Sequence, residues 1–201
     1  MSDKTITTKE YATKLRELYW QISLDHVKYI GIFHERKEES EEQQRYQQER
    51  YAIEEVNWAV HDVYIDLYYL ENLIRHTNIR NLPEFNEDEL GNIREISLTE
   101  LVNKIRKCYW QALVSRREWE NEPGGKEFLR TNHNYDYRIN GLRKVFTIFG
   151  LESYYSDLDE LIRQVHYRSE LTRDGSNKYI QFDPETGEDA VNPKLPQAIK
   201  I

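Results

Sequence analysis

Residues 10–21 read EYATKLRELYWQ, and residues 100–111 read ELVNKIRKCYWQ. Set 90 positions apart, the segments share Glu, Lys, Arg, Tyr, Trp and Gln, six of twelve positions. An internal match of this kind is the first thing to settle, because a missed repeat misassigns the whole fold. The apolar stripe is kept as well. Tyr11, Leu15, Leu18 and Ile22 answer to Leu101, Ile105, Cys108 and Ala112. Steps of three and four place each set on one face of a helix. Both segments open on one start signal, Thr7-x-x-Glu10 and Ser97-x-x-Glu100. That is the capping-box pattern, in which a hydroxyl and a carboxylate satisfy backbone N–H groups free at the first turn.

The stripe of the first helix runs on through Tyr29 to Phe33. A second, Ala52, Val56, Ala59, Val63, Leu67, Leu70 and Ile74, predicts one continuous helix. No Gly or Pro falls between Ile32 and Leu82, so no strong breaker interrupts it. LENLIR at 70–75 matches LDELIR at 158–163, now 88 positions apart, as a changed loop length would leave. The expectation is an all-α antiparallel bundle of two duplicated helical hairpins, about 7–76 and 97–168, whose apolar stripes close on each other. Residues 1–173 then form one domain and 174–201 an extended, irregular tail.

Ser40-x-x-Gln43 places a helix start near Glu41, with the first helix ending near Lys37. EPGGK at 122–126 is a break, residues 131–136 read as a loop, helix resumes near Tyr137, and Gly150 divides or kinks it. An acidic connector with Pro83 and Gly91 joins the halves. In the tail, residues 178–182 could form a short strand, and Pro193 and Pro196 preclude regular helix. The tail is expected either to fray or to dock through Tyr179, Ile180 and Phe182.

Composition excludes several functions. The 201 residues hold 36 acidic and 28 basic side chains, a formal charge of −8. That balance opposes general nucleic-acid binding, which needs Lys and Arg on phosphates. No run approaches the roughly 18 apolar residues of a membrane span, and MSDKTITTKEY lacks a signal peptide's apolar stretch. A single cysteine, Cys108, forms no internal disulfide. The expected location is cytoplasmic.

Three helical chemistries make definite demands. Ferritin-like di-metal bundles need Glu-x-x-His, and none of the six histidines has a glutamate three residues earlier. Two of them, His76 and His166, fall at matching helix ends, where a donor favours the last carbonyls. The all-α NTP pyrophosphatases pair Glu-Glu-x-x-Glu with Glu-x-x-Asp. Residues 38–42 meet the first pattern within a Glu-rich run, and the second is absent. HEPN ribonucleases need Arg-x(4–6)-His, whereas Arg130–His133 and Arg163–His166 are too closely spaced. No nucleophile elbow or phosphate loop is present, and Cys108 sits on a core stripe. No cofactor or metal is expected. Should the chain be a helical nucleotide- or RNA-processing enzyme with a non-standard site, His61, Asp62, Asp66, Arg130 and His133 are the first candidates.

Two features remain. The chain has 15 Tyr and 4 Trp, with Trp20 and Trp110 at the edge of the apolar face and Tyr68, Tyr69, Tyr154 and Tyr155 on the later helices. Large rings with a polar tip fill bundle corners or anchor partners. Acidic runs at 35–42, with Glu38, Glu39 and Glu42, and at 84–89 suit solubility or a basic partner. The leading expectation is a non-catalytic protein-binding factor, immunity- or antitoxin-like or a defence accessory, that masks a basic partner. Self-association stays open.

Overall fold

A computed structural model describes residues 4–32, 41–60, 65–77, 81–84, 93–122, 124–171, 177–182 and 196–201; side chains are described throughout these ranges except at 30–32, 131 and 167–182. The elements run β1 (Thr5–Thr7), α1 (Thr8–Ile32), α2 (Glu41–Ala59), α3 (Leu67–His76), β2 (Glu95–Ser97), α4 (Leu98–Glu120), α5 (Gly125–Thr131), α6 (Asn134–Ile148), α7 (Ser156–Arg163), β3 (His166–Leu171) and β4 (Asn177–Phe182). The protein is all-α in its core. None of the described helices is long and apolar enough to cross a membrane.

The hydroxyl half of each start signal works as read, and no cap N–H bond to either glutamate is seen among the described residues. Thr7 Oγ1 accepts from the Glu10 N–H and Ser97 Oγ from the Glu100 N–H, both at 3.1 Å. Each glutamate also pairs with the lysine one turn on, Lys14 at 3.2 Å and Lys104 at 2.7 Å. Leu15 and Ile105 are both fully buried. The helix start at Glu41 matches the expectation, and Gly150, at φ +68°, ends the α6 segment as a left-handed residue should.

Contacts between elements come in pairs. Helix α1 packs on α2 and α3 as α4 packs on α6 and α7, and α1 touches α6 as α4 touches α2. The strands are reciprocal too. Ile6 faces Ile96, Thr5 faces Ser97, and Thr7 faces Glu95. The Thr8 N–H donates to the Arg94 carbonyl and the Leu98 N–H to the Lys4 carbonyl, each at 2.8 Å. At the centre, α2 lies on α6. Five of the six buried positions of α2, Arg50, Ala52, Ile53, Val56 and Asn57, repeat 89 positions later as Ile139, Gly141, Leu142, Val145 and Phe146 on α6. Two ion pairs cross this seam, Glu49–Lys144 at 2.7 Å and Glu55–Arg138 at 2.8 Å. By the same spacing Glu49 answers to Arg138 and Glu55 to Lys144, so each pair is the other's counterpart with the charges exchanged.

Two expectations need correction, and a third, left open between two outcomes, is decided for the last residues. The stripe from Ala52 to Ile74 is not one helix. Helix α2 stops at Ala59, Asn57 donates to the Ile65 carbonyl at 2.8 Å, and Asp66 caps a new helix by accepting from the Tyr69 N–H at 2.9 Å. A side-chain amide and a carboxylate offer the backbone an alternative to the helix ladder, so no Gly or Pro is needed. Consequently the 70–75 and 158–163 match lies in the last helix of each half, α3 and α7, and not in second helices. Secondly, residues 166–168 are strand, not helix. His166–Leu171 pairs antiparallel with Asn177–Phe182, so His166 is not a helix-end residue. Thirdly, the last residues dock on α4. Asn103 donates to the Ile199 carbonyl at 2.9 Å and accepts from its N–H at 3.0 Å, while Thr99 Oγ1 accepts from the Ile201 N–H at 3.1 Å. Ile199 and Ile201 pack on the core. The expected anchors Tyr179, Ile180 and Phe182 have side chains outside the described set.

Candidate partner-binding surface

The identities shared by the halves build a buried polar frame. Arg106 on α4 is buried and grips Asp157 through two bonds of 2.6 Å, and it also donates to the Tyr154 carbonyl. Its counterpart Arg16 is equally buried and donates to the Pro83 carbonyl at 3.3 Å. The Tyr19 hydroxyl donates to Glu54 at 2.9 Å and reaches Glu71 at 3.3 Å. Ninety positions on, the Tyr109 hydroxyl donates to Asp159 at 2.7 Å and accepts from Arg143 at 2.8 Å. Burial, then the neighbouring carboxylates, push both phenols far above their ordinary range, so they stay neutral donors. Trp20 and Trp110 are only 4% exposed and belong to the core, not to a surface as expected. Cys108 is buried, and burial pushes its thiol up to about 12, which makes it inert.

In the first half this frame closes tightly. Glu71 of α3 holds Arg50 of α2, and Arg75 bonds it at 2.7 Å. Burial alone would raise the Glu71 carboxyl, but the bonds and charges of Arg50 and Arg75 outweigh it and hold it below its usual value. Burial raises the Glu54 carboxyl. His26 lies alongside, its ring 5.6 Å from that of Tyr46. Burial, then the charges of Arg50 and Arg75, bring it down from 6.5 to about 4, against a smaller opposing pull from Glu71. An unfolded His26 takes up its proton at about 6.5 and the folded one only at about 4. The unfolded state therefore binds more protons between those values, and stability that is complete above that window is lost as pH falls through it. Urea unfolding across the window should show this loss, and His26→Gln should remove it. An unchanged pH slope in the variant would contradict the assignment.

Among the described residues, those singled out for chemistry do not meet. His61 and Asp62 lie outside the described residues. Asp66 is the exposed cap of α3. Arg130 sits on exposed α5, paired with Glu127 at 3.2 Å. His133, at the α5–α6 junction, lies 3.9 Å from Glu41 and 3.7 Å from Asp136. A cleft of about 430 Å³ between α4, α6 and α7 is lined by Arg116, Arg143 and Arg163, all of them ion-paired to carboxylates.

The aromatic candidates divide. Tyr155 is half-buried and packs on Tyr109 and Phe146, with Tyr154 half-buried beside it. Glu38 and Glu39 lie outside the described residues, and exposed Glu42 accepts from the Tyr29 hydroxyl at 3.2 Å. Tyr68 and Tyr69, in contrast, are 68% and 54% exposed on the first turn of α3. Two further rings were missed, Trp58 at 63% and Tyr51 at 48%, seven residues apart on one face of α2. Their signal was available, since both lie off the stripe of Ala52, Val56 and Ala59. Glu54 and Glu71 share the Tyr19 hydroxyl, and Trp58 lies one turn beyond Glu54 while Tyr68 lies one turn before Glu71. Trp58 therefore lies at the end of α2 and Tyr68 at the start of α3, each one turn from a carboxylate bonded to Tyr19.

Comparison with protein-family models, curated proteins and solved structures gives no match to this chain.

Proposed function

We propose that this chain is a non-catalytic protein-binding factor whose contact surface is the aromatic edge of α2 and α3, and that it masks a basic partner in the manner of an immunity or antitoxin protein. One observation carries this. Tyr51, Trp58, Tyr68 and Tyr69 stand exposed where the second half has Asn140, Thr147, Ser156 and Asp157 at the corresponding positions. The second half folds with small polar groups at those places, Asp157 among them holding Arg106, so large rings are not required there for the fold. Exposed Trp and Tyr in a cluster are the side chains that anchor partners.

A basic partner follows from the surroundings. Glu54, one turn before Trp58, and Asp66, the cap bonded to the Tyr69 N–H, border the rings, and the chain carries −8. Lys and Arg side chains gain from both the ring faces and the carboxylates. We also infer that the halves descend from one duplicated unit. The repeated sequence signature, the matching element order and the reciprocal contacts support it.

Replacing Trp58 and Tyr68 together by alanine should weaken capture of the cellular partner by about thirtyfold or more, the effect of losing a hot spot. The fold should lose no more than about 0.5 kcal/mol, as expected of exposed sites. The paired change Asn140→Ala with Thr147→Ala should leave binding intact. Equal binding by the parent and the ring-less variant, measured by titration with the recovered partner, would refute the surface. Association should slow as salt rises.

A further inference from the structure

The two halves differ at one place inside the polar frame. In the first half Arg50 of α2 crosses to Glu71 of α3, and His26 of α1 lies alongside. The corresponding positions of the second half hold Ile139, Asp159 and Arg116. Isoleucine is too short to reach Asp159. Where one half has the Arg50 side chain, the other has the cleft of about 430 Å³ between α4, α6 and α7. At about 30 Å³ per water that volume equals about fourteen waters, within the range of small-molecule sites.

The charges change with the shape. Glu54, which accepts from Tyr19, is answered by Arg143, so a guanidinium placed like that of Arg50 would meet a second cation. The lining holds Arg116, Arg143 and Arg163 against Asp136 and Asp159, an excess of positive charge on a chain that carries −8. Two of these arginines keep donors in reserve. Arg143 donates from Nε to the Tyr109 hydroxyl and from Nη2 to Asp159, both at 2.8 Å, while its Nη1 has no partner among the described residues. Its side chain is 39% exposed. Arg163 answers to Arg75, which bonds Glu71 at 2.7 Å, but it pairs with Glu160 at 3.2 Å and not with Asp159. Both members of that pair are exposed, and a pair in water is worth little, so a better acceptor displaces it. Exposed Asn140, at the place of Tyr51, bonds to nothing among the described residues. Leu113, Ile139 and Ile162 supply the apolar part of the wall.

We propose that this cleft binds a small organic carboxylate, its oxygens on the spare donors of Arg143 and Arg163 and its hydrocarbon body against Leu113, Ile139 and Ile162. A guanidinium presents a fork of donors that fits a carboxylate. The apolar wall favours a molecule with a hydrophobic body over a bare inorganic anion. The cleft belongs to the second half, and nothing in it depends on the partner surface proposed for α2 and α3.

The test uses the full chain, with the methyl resonances of Leu113, Ile139, Ile162 and, in the first half, Leu15 followed by NMR. Hexanoate, benzoate and indole-3-acetate are titrated in turn, beside benzamide and inorganic phosphate. At least one carboxylate should shift the cleft methyls, leave Leu15 unmoved and saturate below about 1 mM. Benzamide lacks the charge and phosphate lacks the body, so neither should do this. Arg163→Gln should weaken carboxylate binding by about tenfold, whereas Arg130→Gln, the same loss of charge on α5, should leave it unchanged. The double change Ile139→Arg with Arg143→Glu restores the residues of the first half and should abolish binding. Arg163 is 74% exposed at its side chain, so its variant keeps the test open should the double change fail to fold. The proposal is overturned if no carboxylate saturates, if the shifts fall outside the cleft, if benzamide or phosphate binds equally well, or if the folded Arg163→Gln chain binds as the parent does.

Discussion

Replacing Glu71 by alanine should lower the free energy of unfolding by about 3–5 kcal/mol, the effect of stranding a buried charge. Arg50 is only 8% exposed at its side chain, and Glu71 is the carboxylate that pairs with it. Burial of a guanidinium without its counterion is far more costly than loss of the pair's mutual attraction. Arg50 Nε already has no hydrogen-bond acceptor among the described residues, which leaves little to compensate. The same change strips an acceptor from the Tyr19 hydroxyl and a partner from Arg75. Set against a total of about 5–15 kcal/mol, a loss of this size threatens folding at ordinary temperature. Glu71→Gln should be milder, since it keeps one acceptor oxygen and the side-chain volume while removing charge. Asp159→Ala, the counterpart in the second half, should also be milder, because Arg143 is 39% exposed and recovers water. Denaturant unfolding of the three variants checks the order. A Glu71→Ala loss below about 1 kcal/mol, or equal to that of Asp159→Ala, would contradict it. Acid should act in the same direction. The folded Glu71 pKa is depressed, so its contribution is present above the unfolded value of 4.5 and is lost as pH falls through the folded one.

Gly141→Val should cost about 3 kcal/mol, at the upper end of overpacking penalties. A Cβ at this position would lie 2.8 Å from the Ala52 Cβ, 2.9 Å from the Glu49 Cα and 3.0 Å from the Glu49 carbonyl oxygen. Two of these three atoms are backbone of the facing helix, so no rotamer change relieves the clash. Helices α2 and α6 must separate, which loosens both layers of core that meet at the seam and lengthens the Glu49–Lys144 and Glu55–Arg138 pairs. Valine's helix propensity exceeds glycine's by a few tenths of a kcal/mol, too little to offset that. Thermal unfolding measures the cost. A variant as stable as the parent would mean that the seam is not tightly closed.

Helical periodicity, the two hydroxyl caps, the break between Glu120 and Gly125 and the division at Gly150 were all legible in the chain, because each is a local preference written in neighbouring residues. The shared signature was legible too, but its purpose was not. Trp20 and Trp110 look like surface rings when only the helix is considered, and become core once α1 and α4 have neighbours on more than one side. The break after Ala59 escaped detection because it is made by Asn57 and Asp66, polar groups with no mark as breakers until a carbonyl or an N–H comes within reach.

What the amino-acid order settled alone is the class of fold, since steps of three and four residues leave an apolar stripe that only another helix can cover. What required the folded chain is the identity of the surface. Whether Tyr51, Trp58 or Tyr155 faces water depends on which elements lie beside it, and that is fixed by contacts between residues far apart in sequence. The same holds for Gly141, whose missing side chain has meaning only because the backbone of Glu49 passes within 3.0 Å of where one would stand.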